Sequence, residues 1–208
     1  IERPFNEVLV SGEPDFPFAL AWANETWKGF SHGLKNRNTL IEQYYPGVDD
    51  YTAHFYAVLP AFKDKRYITV DGKPFFMIYK PLANPEVKVF INTWRKLALQ
   101  NGLTGIHFVG HNNDFRESVS QIESVGVDAV NTTRLQNYLV NHRSFLSKVY
   151  GRWNKIFRGV PLAYPYKLMS KYFLVKEEDS RENVYPSIIP GWDHTPRSGR
   201  EGMVMTNS

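Results

Sequence analysis

The sequence predicts an α/β fold built on a parallel sheet, and three observations carry that reading. Apolar runs of strand length alternate with longer amphipathic stretches of helix length. Each apolar run ends in side chains that hydrogen-bond or titrate. No Gly-rich nucleotide loop follows any of them, neither G-x-G-x-x-G nor G-x-x-x-x-G-K-[ST].

Residues 16–23 (FPFALAWA) follow Gly12, Pro14 and Asp15 and read as a first buried strand. Residues 24–50 are polar and turn-rich, a long loop holding one short element around residues 39–44. Asp49 and Asp50 are expected to open a helix over residues 51–62, as N-cap and first-turn acid. Residues 67–70 and 73–79 flank Asp71-Gly72, the signature of a tight hairpin. The second arm is apolar enough to continue inward as a second parallel strand. Asn84-Pro85-Glu86 starts a helix with Pro at its first position, running to about Gln100 and stopping at Asn101-Gly102. Residues 106–110 form a third strand, residues 114–124 a helix ended by Gly126, and residues 127–130 a fourth strand. Residues 137–158 read as helical and residues 159–183, with Pro161 and Pro165, as irregular. Residues 185–189 form a fifth strand leading into PGWDHTPR. No linker interrupts the series, so residues 1–208 are expected to be one domain.

Composition bounds the function. The chain is 42% hydrophobic and 22% charged, ordinary globular values, and 15% aromatic, which is high. It has no cysteine, which excludes disulfides, thiolate metal sites and cysteine nucleophiles. No apolar run approaches the roughly 18 residues of a membrane span. The basic residues His142, Arg143, Lys148, Arg152, Lys155 and Arg158 suit the wet face of an amphipathic helix better than a nucleic-acid surface. His107 and His111 are four apart in a strand, hence roughly 13 Å apart on one side, which is no metal spacing. No G-x-S-x-G marks a serine hydrolase.

The chemistry gathers at the strand ends. Asn24-Glu25-Thr26-Trp27 follows the first strand, Lys80-Pro81 the second and His111-Asn112-Asn113-Asp114 the third. Asn131-Thr132-Thr133-Arg134 follows the fourth, and Trp192-Asp193-His194-Thr195, then Arg197, the fifth. In a (β/α)8 TIM barrel, loops at these ends converge on one face and form the active site. Five strands are too few for such a barrel, and the chain starts at Ile1. The expectation is a barrel fragment lacking N-terminal strands and its C-terminal end, with exposed sheet edges and poor solubility in isolation. Glu25 between Trp22 and Trp27 is placed for a pKa raised by desolvation, as a general acid needs. Glu42 and Asp193 are the candidate second carboxylates of a glycosidic-bond chemistry. Asn24 suits a sugar hydroxyl, and Trp22 or Trp27 suits a pyranose face.

The segments PDFPFALAWANETWKG, LIEQYY, FKDKRYITVDGKPFFMIYKP, LALQNGLTGIHFVG and IIPGWDHTPR resemble the WbsX-like family. The likeness covers nearly the whole chain. It implies a barrel related to glycoside hydrolase family 99, acting in bacterial surface-polysaccharide metabolism, by glycosyl transfer or glycosidic cleavage. It implies Trp22, Asn24, Glu25, Trp27, Glu42, Trp192 and Asp193 at the family's pocket positions, with Glu25 the expected catalytic acid/base and Glu42 or Asp193 its expected partner carboxylate. Lys80, His111 and Arg197 join them as strand-end groups. One departure stands out: the family places an acidic, Pro-rich segment after the fourth strand, where this chain has Asn131-Thr132-Thr133-Arg134. The expected partner is an oligosaccharide or polysaccharide, with no cofactor, no nucleic acid and no stable membrane insertion. The expected location is cytoplasmic or at the periphery of the inner membrane.

Overall fold

The computed structural model describes residues 2–29, 36, 38–112, 114 and 116–207, the side chains of residues 2, 3 and 200 excepted. Parts of the expected long loop (30–35 and 37), residue 113 of the third strand end and residue 115 of the following helix lie outside the described residues. The protein is a mixed α/β structure with a mainly parallel principal sheet. It divides into two compact units. The first comprises residues 1–24, 44–111 and 119–130, and the second residues 25–43, 112–118 and 131–208.

The first unit is built on parallel strands in the order β1 (Leu20–Trp22), β5 (Lys73–Ile78), β6 (His107–Asn112) and β7 (Ala129–Thr132). Trp22 pairs with Ile78, and Ile78 with Gly110, so the three strands reach their C-terminal ends together. Helices α2 (Val48–Phe62) and α3 (Val87–Gln100) supply the rings that bury the sheet. Trp94, Tyr51, Phe55, Phe76, Phe90 and Phe108 are all sealed from solvent. The Trp94 ring lies 4.6 Å from both Phe76 and Phe90, and its Nε1 donates to the Tyr51 carbonyl at 2.8 Å. An indole this deep needs that partner, because an unmet N–H costs more than the ring's burial can spare.

Turns follow the sequence closely. Asp71 (φ 50°) and Gly72 (φ 74°) both adopt positive φ and join β4 (Thr69–Val70) to β5 as an antiparallel hairpin. Gly102, at φ 82°, ends α3. Two helix starts need correction. α2 begins at Val48, so Asp49 and Asp50 sit inside its first turn, where they favour the helix dipole; the cap position is Gly47, with no side-chain cap. α3 begins at Val87, with Pro85 in the turn before it, because Asn84 Oδ1 accepts the Glu86 amide at 2.8 Å and closes that turn first. The helix expected over residues 114–124 is shorter, α4 (Val119–Glu123).

The second unit has a different grammar. Strands β2 (Trp27–Lys28) and β3 (Thr39–Ile41) form a short antiparallel pair. Residues 131–133 run beside β9 (Val184–Pro186), with the Ser187 amide donating to the Thr132 carbonyl at 2.8 Å. β8 (Leu162–Pro165) and β10 (Met203–Thr206) are parallel partners. The core is small: Tyr138, Tyr164, Met169, Phe173, Ile189 and Met205. The region expected to be irregular, 159–183, therefore contains β8 and the short helices α6 (Tyr166–Met169) and α7 (Lys176–Asp179).

The single helix expected over residues 137–158 is broken. A π-helical turn, Tyr138–His142, precedes α5 (Phe145–Trp153), whose N-cap Ser144 accepts the Ser147 amide. A second π-helical turn, Asn154–Arg158, follows. Its orientation is also not the expected one. The half-buried residues are Ser147, Gly151 and Asn154, whereas Phe145, Leu146 and Phe157 are exposed. A Cβ on Gly151 would collide with the Arg143 guanidinium and meet Leu162 at 3.1 Å, so this small face packs inward. Among the described residues no helix is long and apolar enough to cross a membrane.

Candidate functional site

In the first unit, the shared end of β1, β5 and β6 carries Trp22, Asn24, Lys80 and His111. Asn24 is sealed from solvent and used on all sides. Its Nδ2 donates to the Lys80 carbonyl at 2.8 Å and to the Tyr45 hydroxyl at 3.2 Å, and its Oδ1 accepts the Lys80 amide at 2.7 Å. The Tyr45 hydroxyl donates in turn to the Asn24 carbonyl. Burial pushes the Tyr45 hydroxyl pKa up, against the opposing pull of Asn24 and the Lys80 charge. Asn24 thus fastens the end of β1 to the end of β5, which gives it a positioning role. Trp22 packs inward against Phe90 at 4.8 Å and edge-on to His54 and Tyr45. His111 stacks on Tyr79 at 5.3 Å, and the Lys80 ammonium lies over the same Tyr79 ring at 5.8 Å.

The second unit holds all three predicted carboxylates. Glu25 is half-buried, at the bend where β1 has ended and β2 is about to begin. The antiparallel register sets Trp27 opposite Ile41, and Thr26 Oγ1 accepts the Gln43 amide at 3.2 Å. Glu25 and Glu42 therefore flank the same end of one hairpin, with Glu42 exposed and Trp27 half-buried.

Asp193 lies on a segment laid antiparallel along β10: the Met205 amide donates to the Trp192 carbonyl, and the His194 amide to the Met203 carbonyl. Its Oδ1 accepts both the amide (2.8 Å) and the hydroxyl (2.6 Å) of Thr195. These two bonds hold the Asp193 carboxyl below the usual carboxylate range. Trp192 and His194 stack at 6.0 Å with planes only 7° apart, a flat and partly exposed platform. Gly202 makes this possible, because a Cβ there would stand 2.9 Å from the backbone of His194 and Thr195. Arg197 is exposed on the short helix α8 (Thr195–Ser198).

The residues match the family Glycosyltransferase WbsX from 1 to 208. The chain belongs to the WbsX glycosyltransferase family. Two relatives, each named uncharacterized protein WxcX, come from Xanthomonas campestris pv. campestris strains B100 and ATCC 33913. Each is 26% identical over 217 residues, covering 98% of this chain and 28% of the relative. The chain thus spans little more than a quarter of the length of these relatives. No solved structure matches it.

The segment after the fourth strand is held by ion pairs and hydrogen bonds. Arg134 Nη1 reaches both oxygens of Asp179 (2.8 and 2.7 Å), and its Nη2 reaches Glu178 at 2.7 Å. Asp179 also accepts the Val175 amide at 2.7 Å. The arginine thus ties α7 to the strand end. Beside it, Asn131 donates to the Tyr185 carbonyl and to Ser187, which bonds Thr133 at 2.7 Å.

Sequence reasoning missed Tyr45 and Tyr79, each one residue from a polar or apolar neighbour that drew the reading away. It also missed a cleft of about 340 Å³ in the second unit, lined by Tyr138, Arg143, Asn154 and Tyr164 among others. The Arg143 guanidinium lies 5.2 Å from the Tyr164 ring centre. Asn154 Oδ1 and the Tyr164 hydroxyl are buried there with no hydrogen-bond partner among the described residues. No local motif announces this cleft, since its walls come from residues 138 to 168 folded on themselves.

Proposed function

We propose that the chain is the catalytic part of a carbohydrate-active enzyme of bacterial surface-polysaccharide synthesis, with a barrel-type parallel sheet carrying its strand-end groups. The observation that carries this reading is that Glu25, Glu42 and Asp193, with Trp27 and Trp192, belong to one compact unit of a WbsX-family chain. Asp193, kept ionised by Thr195, suits the carboxylate that stabilises or attacks the anomeric carbon and does not suit proton donation. Glu25, half-buried beside Trp27, suits the general acid that gives its proton to the leaving oxygen. Glu42, on the neighbouring arm of the hairpin, is the other candidate for the partner carboxylate. Trp27, Trp192 and Arg197, all in the second unit, supply sugar contacts in this reading.

A second reading, transfer from a sugar nucleotide, is favoured by the family's name. A third reading, a glycan-binding module without chemistry, would show as glycan binding retained in Glu25→Gln with no turnover on any glycan. In this reading the enzyme works in the cytoplasm or at the periphery of the inner membrane.

The test is to incubate the intact enzyme, Glu25→Gln and Asp193→Asn with bacterial surface glycans, with and without sugar nucleotides, and to identify products by mass spectrometry. Cleavage without a donor, lost in Glu25→Gln, establishes carboxylate hydrolysis. Product formed only with a donor establishes transfer. Full activity in both variants would overturn the assignment of these carboxylates.

A further inference from the structure

Helix α5 presents the wrong face to water for a domain surface. Phe145, Leu146, Val149, Tyr150 and Trp153 follow the spacing of one helical face, and Ile156 and Phe157 continue it through the π-helical turn. All seven are exposed, Phe145 and Leu146 at 77%. Scattered exposed apolar residues need no explanation, but a contiguous helical stripe of this length does. The opposite, small face of Ser147, Gly151 and Asn154 is the one packed against the unit, so the outward aim of the stripe is fixed by the fold.

Charge says what covers it. Residues 129–176 contain nine Lys or Arg and no Asp or Glu. Arg134 and Lys155 are paired, with Glu178 and Asp179 and with Glu201. Lys148, Arg152 and Arg158, on and just beyond α5, are exposed, as are Lys167 and Lys171 that follow. An apolar stripe of Phe, Leu and Trp rimmed by cations and free of acids is complementary to a surface that is apolar within and negative at its rim. That is an anionic lipid bilayer, in whose headgroup layer such a helix lies flat. A nucleic acid would use the cations and leave the rings in water.

We infer that residues 143–158 form an interfacial membrane-binding helix, which seats the second unit on an anionic lipid surface through Phe145, Leu146, Trp153 and Phe157. The inference is independent of the chemistry proposed for Glu25 and Asp193. Its readout is lipid binding, which stands or falls without any turnover.

The experiment is co-sedimentation of the intact protein with vesicles of phosphatidylcholine alone and of phosphatidylcholine with phosphatidylglycerol. Binding to the anionic vesicles is expected, weakened by 0.5 M salt, with little binding to neutral ones. Trp emission should shift to the blue on binding, and the shift should shrink in Trp153→Phe. Phe145→Ser/Leu146→Ser/Phe157→Ser should lower the partition coefficient about tenfold or more. Lys148→Gln/Arg152→Gln/Arg158→Gln should remove the preference for anionic lipid. These positions are exposed, and an unchanged circular-dichroism melt confirms that each variant folds. Equal binding to both vesicles, or none to either, overturns the inference. So does a concentration-dependent dimer, seen by light scattering and dissolved by the apolar variant, in protein that ignores vesicles; a second copy would then be the cover.

Discussion

The two units spend similar residues in opposite ways. The first hides its rings: Trp94, Phe55, Phe76, Phe90 and Phe108 interlock between the sheet and α2 and α3, and regular elements do the positioning. The second has a core of two tyrosines, a phenylalanine, two methionines and an isoleucine, while its largest apolar stripe faces outward on α5. It replaces packed area with polar ties, chiefly Arg134 to Asp179 and the Asn131, Thr133 and Ser187 cluster. The difference teaches that one unit is specified by volume and the other by directional bonds. They should therefore fail to different kinds of substitution.

The largest effect is expected where volume rules. Trp94→Ala removes a fully buried indole and its bond to the Tyr51 carbonyl, so it should cost about 4 kcal/mol in a urea titration. A loss below about 1 kcal/mol would break the contrast. Next comes the directional unit. Arg134→Gln leaves Asp179, only 8% exposed, without its cation and should cost about 3 kcal/mol. Adding Asp179→Asn should recover part of that loss, which a purely steric role would not allow.

Two glycines sharpen the comparison at about 2 kcal/mol each. Gly110→Ala in the first unit drives a Cβ into the buried Ile122 side chain, and it should lower the melting temperature without touching chemistry. Gly202→Ala in the second pushes on the backbone of His194 and Thr195, so it should displace Asp193 and cut activity more than stability. Equal behaviour of the two variants, measured as melting temperature against turnover, would contradict this.

The smallest effect is one of pH. His54 is buried among Trp22, Phe76, Phe90 and Trp94, and burial pushes its imidazole pKa below 6.5. The unfolded chain then takes up the proton more readily than the folded one. The contribution is complete above pH 6.5 and is lost as pH falls below it. His107 acts in the same direction. Denaturation midpoints should fall between pH 7 and pH 5, less steeply in His54→Phe; an unchanged slope in that variant would rule out His54 as the source.

The same division explains what was legible. The first unit could be read nearly element by element, because its signals are local: Asp71-Gly72 needs positive φ, Asn101-Gly102 ends a helix, and IHFVG can only be a buried strand. The second could not. β8 is a strand because Leu162–Pro165 meets Met203–Thr206 across a long stretch of chain, and nothing within LAYP announces that. The outward stripe of α5 was legible as amphipathic but not in its orientation, since the packing of Gly151 against Arg143 and Leu162 decides which face turns in. For the site, Glu25 and Glu42 could be named as a pair, but their sharing of one hairpin required the β2–β3 register.

Asn24 carries a consequence for genetics. Its carboxamide meets the amide and the carbonyl of Lys80 together, as a neighbouring strand's peptide group would. The side chain is in effect one more rung of the ladder after the backbone of β1 has turned away. Only a carboxamide on a one-carbon stem offers a donor and an acceptor at that reach; aspartate lacks the donor and glutamine overshoots. A saturation screen scored on function would therefore rank position 24 as intolerant as any residue that touches a ligand. Selection on function alone would crown it a catalyst, when what it supplies is a peptide bond drawn in side-chain atoms.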